Sequence, residues 1–182
     1  IAPVFTALEY GAFEMLGVGT WQARTVPVAS GLLALVALMA GLSAVSGRRV
    51  ALLGGLLLAA NYTWVMWNRA ALMESTMTAL IVVGWAAYAM GGRRPAWGFV
   101  AGLATVLAWF TKASAAFFAA AIVADASLIL ALSMLPGVRA RIGCAPPTIN
   151  DVRSAWATFA GLALSAAVIG AAFVAPHWSD YQ

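Results

Sequence analysis

Charge is what this 182-residue sequence has least of: Lys, Arg, Asp and Glu make up 9% of it, against 64% hydrophobic residues, and the mean hydropathy is +0.93. Soluble domains run to roughly half apolar and a quarter charged, so a free-standing soluble fold is excluded and hydrocarbon is the solvent for most of the chain. There is one cysteine, Cys144, and one histidine, His177. That scarcity excludes an internal disulfide framework and argues against a His/Cys metal site, and Cys144 reads as inert. The pI near 9.8 comes from few basic residues scattered through short loops. This is a pattern of membrane orientation, not of a surface that tracks nucleic-acid phosphates. The opening Ile1-Ala-Pro-Val4 lacks the n-region of a signal peptide, and Trp178-Ser-Asp-Tyr-Gln182 lacks any terminal character. Both ends are therefore expected to be cut from a longer chain.

What is present is apolar length. The chain has room for about six spans, each of roughly 20 residues, and none for a separate soluble domain. Within residues 1–24, apolar positions 5, 8, 12, 13 and 16 share one helical face, with Glu9 and Glu14 among them. They predict an amphipathic helix lying at the interface and ended by Gly17 and Gly19. Spans are then expected at about 25–46, 50–67, 75–91, 97–111, 113–135 and 155–176, with polar breaks at 46–49, 68–74, 91–95, 111–112 and 136–154. The expectation is an all-α membrane fold: one transmembrane domain, a polytopic bundle of about six helices behind an outer interfacial segment. Gly31, Gly41, Gly54, Gly55, Gly84, Gly102 and Gly161 let such helices approach closely.

The cations are unevenly divided. Loops 47–49, 92–96 and 136–154 hold Arg48, Arg49, Arg93, Arg94, Arg139, Arg141 and Arg153; the other side holds Arg24, Arg69 and Lys112. Seven against three makes the first side cytoplasmic by the positive-inside rule. Glu9, Glu14, Glu74 and Asp180 then lie outside and Asp151 inside. The expected setting is multi-pass in the inner (plasma) membrane.

Four places can carry chemistry. Arg69 and Glu74 sit together in the break after Trp64 and Trp67. Either Arg69 snorkels to head groups and Glu74 caps the next helix, or the two hold a phosphate- or sugar-bearing ligand at the membrane surface. Tyr62, Trp64 and Trp67 read as aromatic belt, with sugar stacking the weaker alternative. Lys112, between two spans with no polar loop around it, either snorkels or captures a lipid phosphate. Asp125 lies near the middle of the fifth span with no partner in the sequence at matching depth. A neutral carboxyl bonded to a neighbouring helix is the plainer account. His177-Trp-Ser-Asp180 reads as the start of a loop.

Three short motifs carry a resemblance. Pro3-Val-Phe5 followed by Leu16-Gly-Val-Gly19 and Gln22-Ala-Arg24 leads into a helix; Arg69-Ala-Ala-Leu-Met-Glu74 follows; Thr111-Lys112-Ala113 comes third. Their order resembles the GT-C superfamily of integral-membrane glycosyltransferases, in particular its dolichyl-phosphate-mannose:protein mannosyltransferase and aminoarabinose-transferase branch. The likeness spans residue 1 to about 180. This chain has Glu74 where that family usually has Asp, and Ala113 where Gly is common. The resemblance implies transfer of a sugar from a polyprenyl-phosphate donor to an acceptor on the outer face. It casts Glu74 as a catalytic carboxylate, the family's second outer acid, and Lys112, Arg69 and Arg24 as donor-phosphate ligands. Membrane lipids and the lipid-linked donor are the implied partners, with other membrane subunits possible; no cofactor is evident and a metal requirement is left open. The family's first acidic outer loop precedes the matching region, so residues 1–182 alone are not expected to catalyse. Two rivals stand beside this reading: a non-catalytic structural subunit of a larger membrane complex, and a transporter built around Asp125.

Overall fold

A computed structural model describes residues 2–138 and 145–176. Every regular element in them is helical: α1 (Pro3–Leu16), α2 (Thr20–Val45), α3 (Arg48–Ala59), α4 (Tyr62–Asn68), α5 (Met73–Met90), α6 (Ala96–Thr111), a 3-10 turn (Ala113–Ala115), α7 (Ala116–Met134) and α8 (Ile149–Ile169), which a π turn (Gly170–Val174) continues. Arg139, Arg141, Cys144 and His177–Asp180 lie outside the described residues.

Three stretches are long and apolar enough to cross a membrane: Thr20–Val45, Ala113–Met134 and Ile149–Val174. A fourth is reached if α3 and α4 count as one broken span. Helix α6 is apolar but shorter, and α5 opens on the polar turn Glu74-Ser-Thr76.

Local chemistry explains where these helices start and stop. Gly17 leaves α1 at φ 83°, a left-handed conformation that costs a residue without Cβ nothing. Helix α2 begins at Thr20, ahead of the expected 25, and carries Arg24 and the buried Pro27 within it. The stretch expected as one span at 50–67 is two helices bent by 66°. Asn61 makes the break: its side chain accepts from the Trp64 N–H at 2.9 Å and starts α4 afresh. Helix α8 starts at Ile149, inside the expected 136–154 loop. There Thr148 and Asp151 form a capping box, with Thr148 Oγ1 accepting from the Asp151 N–H at 3.2 Å and Asp151 Oδ2 accepting from the Thr148 N–H at 2.7 Å.

Small residues bring the helices together. Helix α6 packs most extensively on α8, and α5 on α2 and α6. Gly98 and Gly102, four apart on α6, meet Ser154, Thr158 and Gly161 of α8. A Cβ on Gly98 would lie 2.2 Å from the Ser154 carbonyl oxygen, and one on Gly102 2.2 Å from that of Thr158. Backbones this close are the signature of helix pairing in lipid, where packing and not water exclusion drives association. Some buried hydroxyls are satisfied within their own helices, as Thr105 Oγ1 donates to the Ala101 carbonyl at 2.7 Å and Thr158 Oγ1 to that of Ser154 at 2.9 Å, whereas Ser30 and Thr76 pair across α2 and α5 at 3.0 Å.

Helix α1 lies against α2 and α6 but buries no residue fully. Its more covered positions are Pro3, Val4, Phe5, Glu9, Gly11, Ala12 and Phe13, whereas Leu8 and Leu16 of the expected apolar face are 46% and 54% exposed. Both Glu9 carboxylate oxygens are shielded from water and have no hydrogen-bond partner. Outward leucines make sense where the outside is hydrocarbon.

The bundle has two chemically distinct ends. The α5–α6 hairpin returns the chain so that Glu74 and Lys112 share one end. At the opposite end Arg93 Nη2 donates to the Ala44 carbonyl at 2.5 Å, joining the α5–α6 turn to the end of α2.

Candidate functional site

The four candidate residues gather at the first end but in two pairs. Glu74 lies in the first turn of α5 and Lys112 at the extended residue that breaks α6 from the 3-10 turn. Lys112 Nζ meets Glu74 Oε1 at 2.5 Å, with side chains 37% and 40% exposed respectively. Glu74 thus bonds to Lys112 and not to its sequence neighbour Arg69. The cause is packing: α5 lies on α6, whose end carries the lysine, whereas Arg69 caps α4 on the other side of the break. This lysine contact and the Glu74 carboxylate's bond to its own backbone N–H hold the Glu74 carboxyl below the ordinary 4.5, against a smaller opposing effect of burial. Ser114 Oγ sits 3.3 Å from Met77 Sδ and ties the start of the 3-10 turn to α5.

Arg24 and Arg69 form the second pair. They line two adjoining clefts of about 310 Å³ and 290 Å³, one shared with Tyr62 and the other with Trp21. The Arg24 guanidinium lies 5.9 Å from the Trp21 ring centroid, within cation–π range. Both arginines are exposed, and neither is in salt-bridge reach of a carboxylate among the described residues. Two unneutralised guanidinium groups at one cleft favour an anion with several oxygens.

Beside Glu74 opens a groove of about 480 Å³, lined by Trp64, Trp67, Asn68, Glu74, Ser75 and Met77 among others. Its walls are mainly apolar. Asn68 was not a sequence candidate. Its side chain is 8% exposed, its Nδ2 donates to the Trp64 carbonyl at 2.8 Å and its Oδ1 has no partner. Gly31 makes room for it, since a Cβ there would stand 2.6 Å from Asn68 Cγ and Oδ1. The sequence signal was a single amide one residue before Arg69. Ser75 Oγ reaches back to the Trp67 carbonyl at 3.3 Å and closes the break.

Asp125 is hydrogen-bonded to another helix, as the plainer account expects, although the sequence reading had found no partner at matching depth. Tyr88 Oη donates to Asp125 Oδ2 at 2.6 Å. Reading Tyr88 as part of an apolar run concealed it. The pair stands far from Glu74 along both helices and does not belong to the same site. Among the described residues, no group of three or more His, Cys, Asp or Glu side chains converges. Comparison with protein-family models, with curated proteins and with solved structures finds no match to this chain.

Proposed function

We propose that this chain is the transmembrane part of a glycosyltransferase that moves a sugar from a polyprenyl-phosphate donor to an acceptor at the outer membrane face. The observation that carries the reading is the gathering of one acid and three cations at one end of the bundle, with Glu74, bonded to Lys112, lining a largely apolar groove and Arg69 and Arg24 lining two clefts at the same end. In this reading the chain crosses the inner (plasma) membrane six times. The spans are α2, the bent α3–α4 pair, α5, α6, α7 and α8, with loops 47–49, 92–96 and 136–154 cytoplasmic. The resemblance of the Arg69–Glu74 and Thr111–Ala113 motifs to the GT-C superfamily supports it too.

The Glu74–Lys112 bond gives the site a resting state. While paired, the lysine is neutralised and the carboxylate, with its lowered pKa, is a poor base. An incoming lipid phosphate competes for Lys112, with Arg24 and Arg69 adding charge. Released from the lysine, Glu74 then orients the acceptor hydroxyl and takes its proton. The acceptor oxygen bonds to the sugar's anomeric carbon as the bond from that carbon to the phosphate oxygen breaks. The electron pair leaves with the polyprenyl phosphate, whose charge the cations hold.

Transfer from a polyprenyl-phosphate sugar by the full protein in membranes is the test. Lys112→Ala and Glu74→Gln are each expected to lower it by about 100-fold or more with helical circular dichroism unchanged. Wild-type transfer in both variants would overturn the assignment.

One observation favours the alternative, a non-catalytic structural subunit of a larger membrane complex. Glu74 and Lys112 satisfy each other, as a purely structural pair does. On that reading neither variant alters transfer by the assembled complex, and partner subunits protect a cysteine placed at Ala71 from aqueous labelling.

A further inference from the structure

Helix α7 is loosely held: it packs on α8 and more lightly on α6, and much of its surface is uncovered. One uncovered face carries Phe117, 85% exposed, then Ala120, Ala121, Ala124, Asp125, Leu128 and Ala131. Exposed leucine, alanine and phenylalanine are at home in lipid. Asp125 is not.

Its depth follows from two independent counts. Helices α5 and α7 run in the same direction from the Glu74–Lys112 pair. Tyr88 lies 14 residues beyond Glu74 and Asp125 lies 13 beyond Lys112, and the two side chains meet. At about 1.5 Å per residue both counts put the carboxylate about 20 Å from that end, inside a hydrocarbon layer about 30 Å thick. Lysine and arginine at such depth can snorkel to the surface; the short aspartate side chain cannot. Tyr88 supplies one hydrogen bond to Oδ2, and no other hydrogen bond or salt bridge reaches Asp125 among the described residues.

We propose that this face of α7 docks a transmembrane helix of a partner subunit that carries a lysine or arginine opposite Asp125, in the half of the bilayer farther from Glu74. Charge complementarity selects the cation. Ala120 and Ala124, four residues apart on the exposed face, let the partner's backbone come close enough for its side chain to reach the carboxylate. A second copy pairing through the same face does not fit, because α7 has no Lys or Arg between Ala116 and Met134 and would set one carboxylate against another. The inference rests on α7 crossing the membrane and is independent of sugar transfer.

The test uses the full chain in phosphatidylcholine vesicles, labelled with a donor fluorophore at its single cysteine, Cys144. Two acceptor-labelled transmembrane peptides are compared: one of Leu and Ala only, the other identical but for one lysine two-thirds of the way across. The lysine peptide is expected to bind wild type about tenfold more tightly than the Leu/Ala peptide. Asp125→Asn should bring the two peptides to within about twofold of each other. Ala124→Phe should do the same while leaving the carboxylate and its Tyr88 bond in place, so loss of binding there cannot be blamed on an unfolded α7. Equal binding of the two peptides to wild type, as expected of an Asp125 satisfied by Tyr88 alone, overturns the proposal. So does unchanged preference in both variants. Energy transfer between two labelled copies that depends on Asp125, with no peptide present, would assign the face to self-association and overturn it as well.

Discussion

Two glutamates of this chain are pushed in opposite directions, and stability should record the difference. Lys112 and a backbone N–H favour the charged form of Glu74, which lies outside the long apolar spans. Burial with no partner disfavours the charged form of Glu9 on α1. For Glu74 the folded pKa lies below the unfolded one, so its contribution is present above 4.5 and lost as pH falls through the folded value. With both side chains more than a third exposed, that contribution is small, about 0.5 kcal/mol. For Glu9 the folded pKa lies above the ordinary 4.5, so folding favours the protonated acid and stability falls as pH rises through the folded value. Glu74→Gln is therefore expected to lower the thermal midpoint in detergent at pH 7 and to match wild type under acid conditions. Glu9→Gln should raise the midpoint at pH 7, with the gap closing on acidification. Parallel pH profiles for the two variants would contradict the opposed surroundings. The sequence placed Glu74 and Lys112 at one end but not in contact, because Arg69, five residues from Glu74, was the nearer cation in the chain.

At the scale of helices, glycine has opposite values in different places. Gly102 faces the backbone of α8, where an added Cβ would overlap the Thr158 carbonyl and stand 2.7 Å from the Leu162 nitrogen. Neither atom is the end of a flexible side chain, so the helices must separate. Gly102→Ala is expected to cost about 2 kcal/mol, in the range of overpacked cores. Gly11 has nothing within 4 Å of its would-be Cβ and lies inside α1. Gly11→Ala should then be neutral or gain up to about 1 kcal/mol through helix propensity alone. Denaturation of the two variants in mixed micelles compares them directly, and equal effects would refute the close α6–α8 contact. Small residues in every span announced dense packing, but which glycine meets backbone depends on helix register. The break at Asn61 was hidden for a related reason. One amide in an apolar run reads as tolerated until its side chain is seen capping α4. Asp125 shows information that was present and unread: counting 13 residues from Lys112 and 14 from Glu74 would have set Tyr88 beside it.

For the whole molecule, the alternation of apolar runs and polar breaks was enough to sort residues by end. Arg24, Arg69, Glu74 and Lys112 do share one, and the Arg93–Ala44 bond ties the α2–α3 and α5–α6 turns together at the other. That sorting follows from each helix reversing the chain, so it survives errors of several residues at any boundary. Which end faces the cytoplasm is a separate matter, and the proposed orientation rests on the seven cations grouped against three. The two claims separate in one experiment. In a Cys144→Ser background, Ala71→Cys probes the α4–α5 break and Ser46→Cys the α2–α3 turn, both at exposed positions. A membrane-impermeant maleimide applied to intact cells is expected to label Ala71→Cys and to reach Ser46→Cys only after permeabilisation. The reverse result would keep the two-ended bundle and invert its orientation, moving the groove beside Glu74 to the cytoplasmic side and ending the case for an outer-face acceptor. Labelling of both positions from outside would deny that the helices between them cross the bilayer, and with that the depth assigned to Asp125.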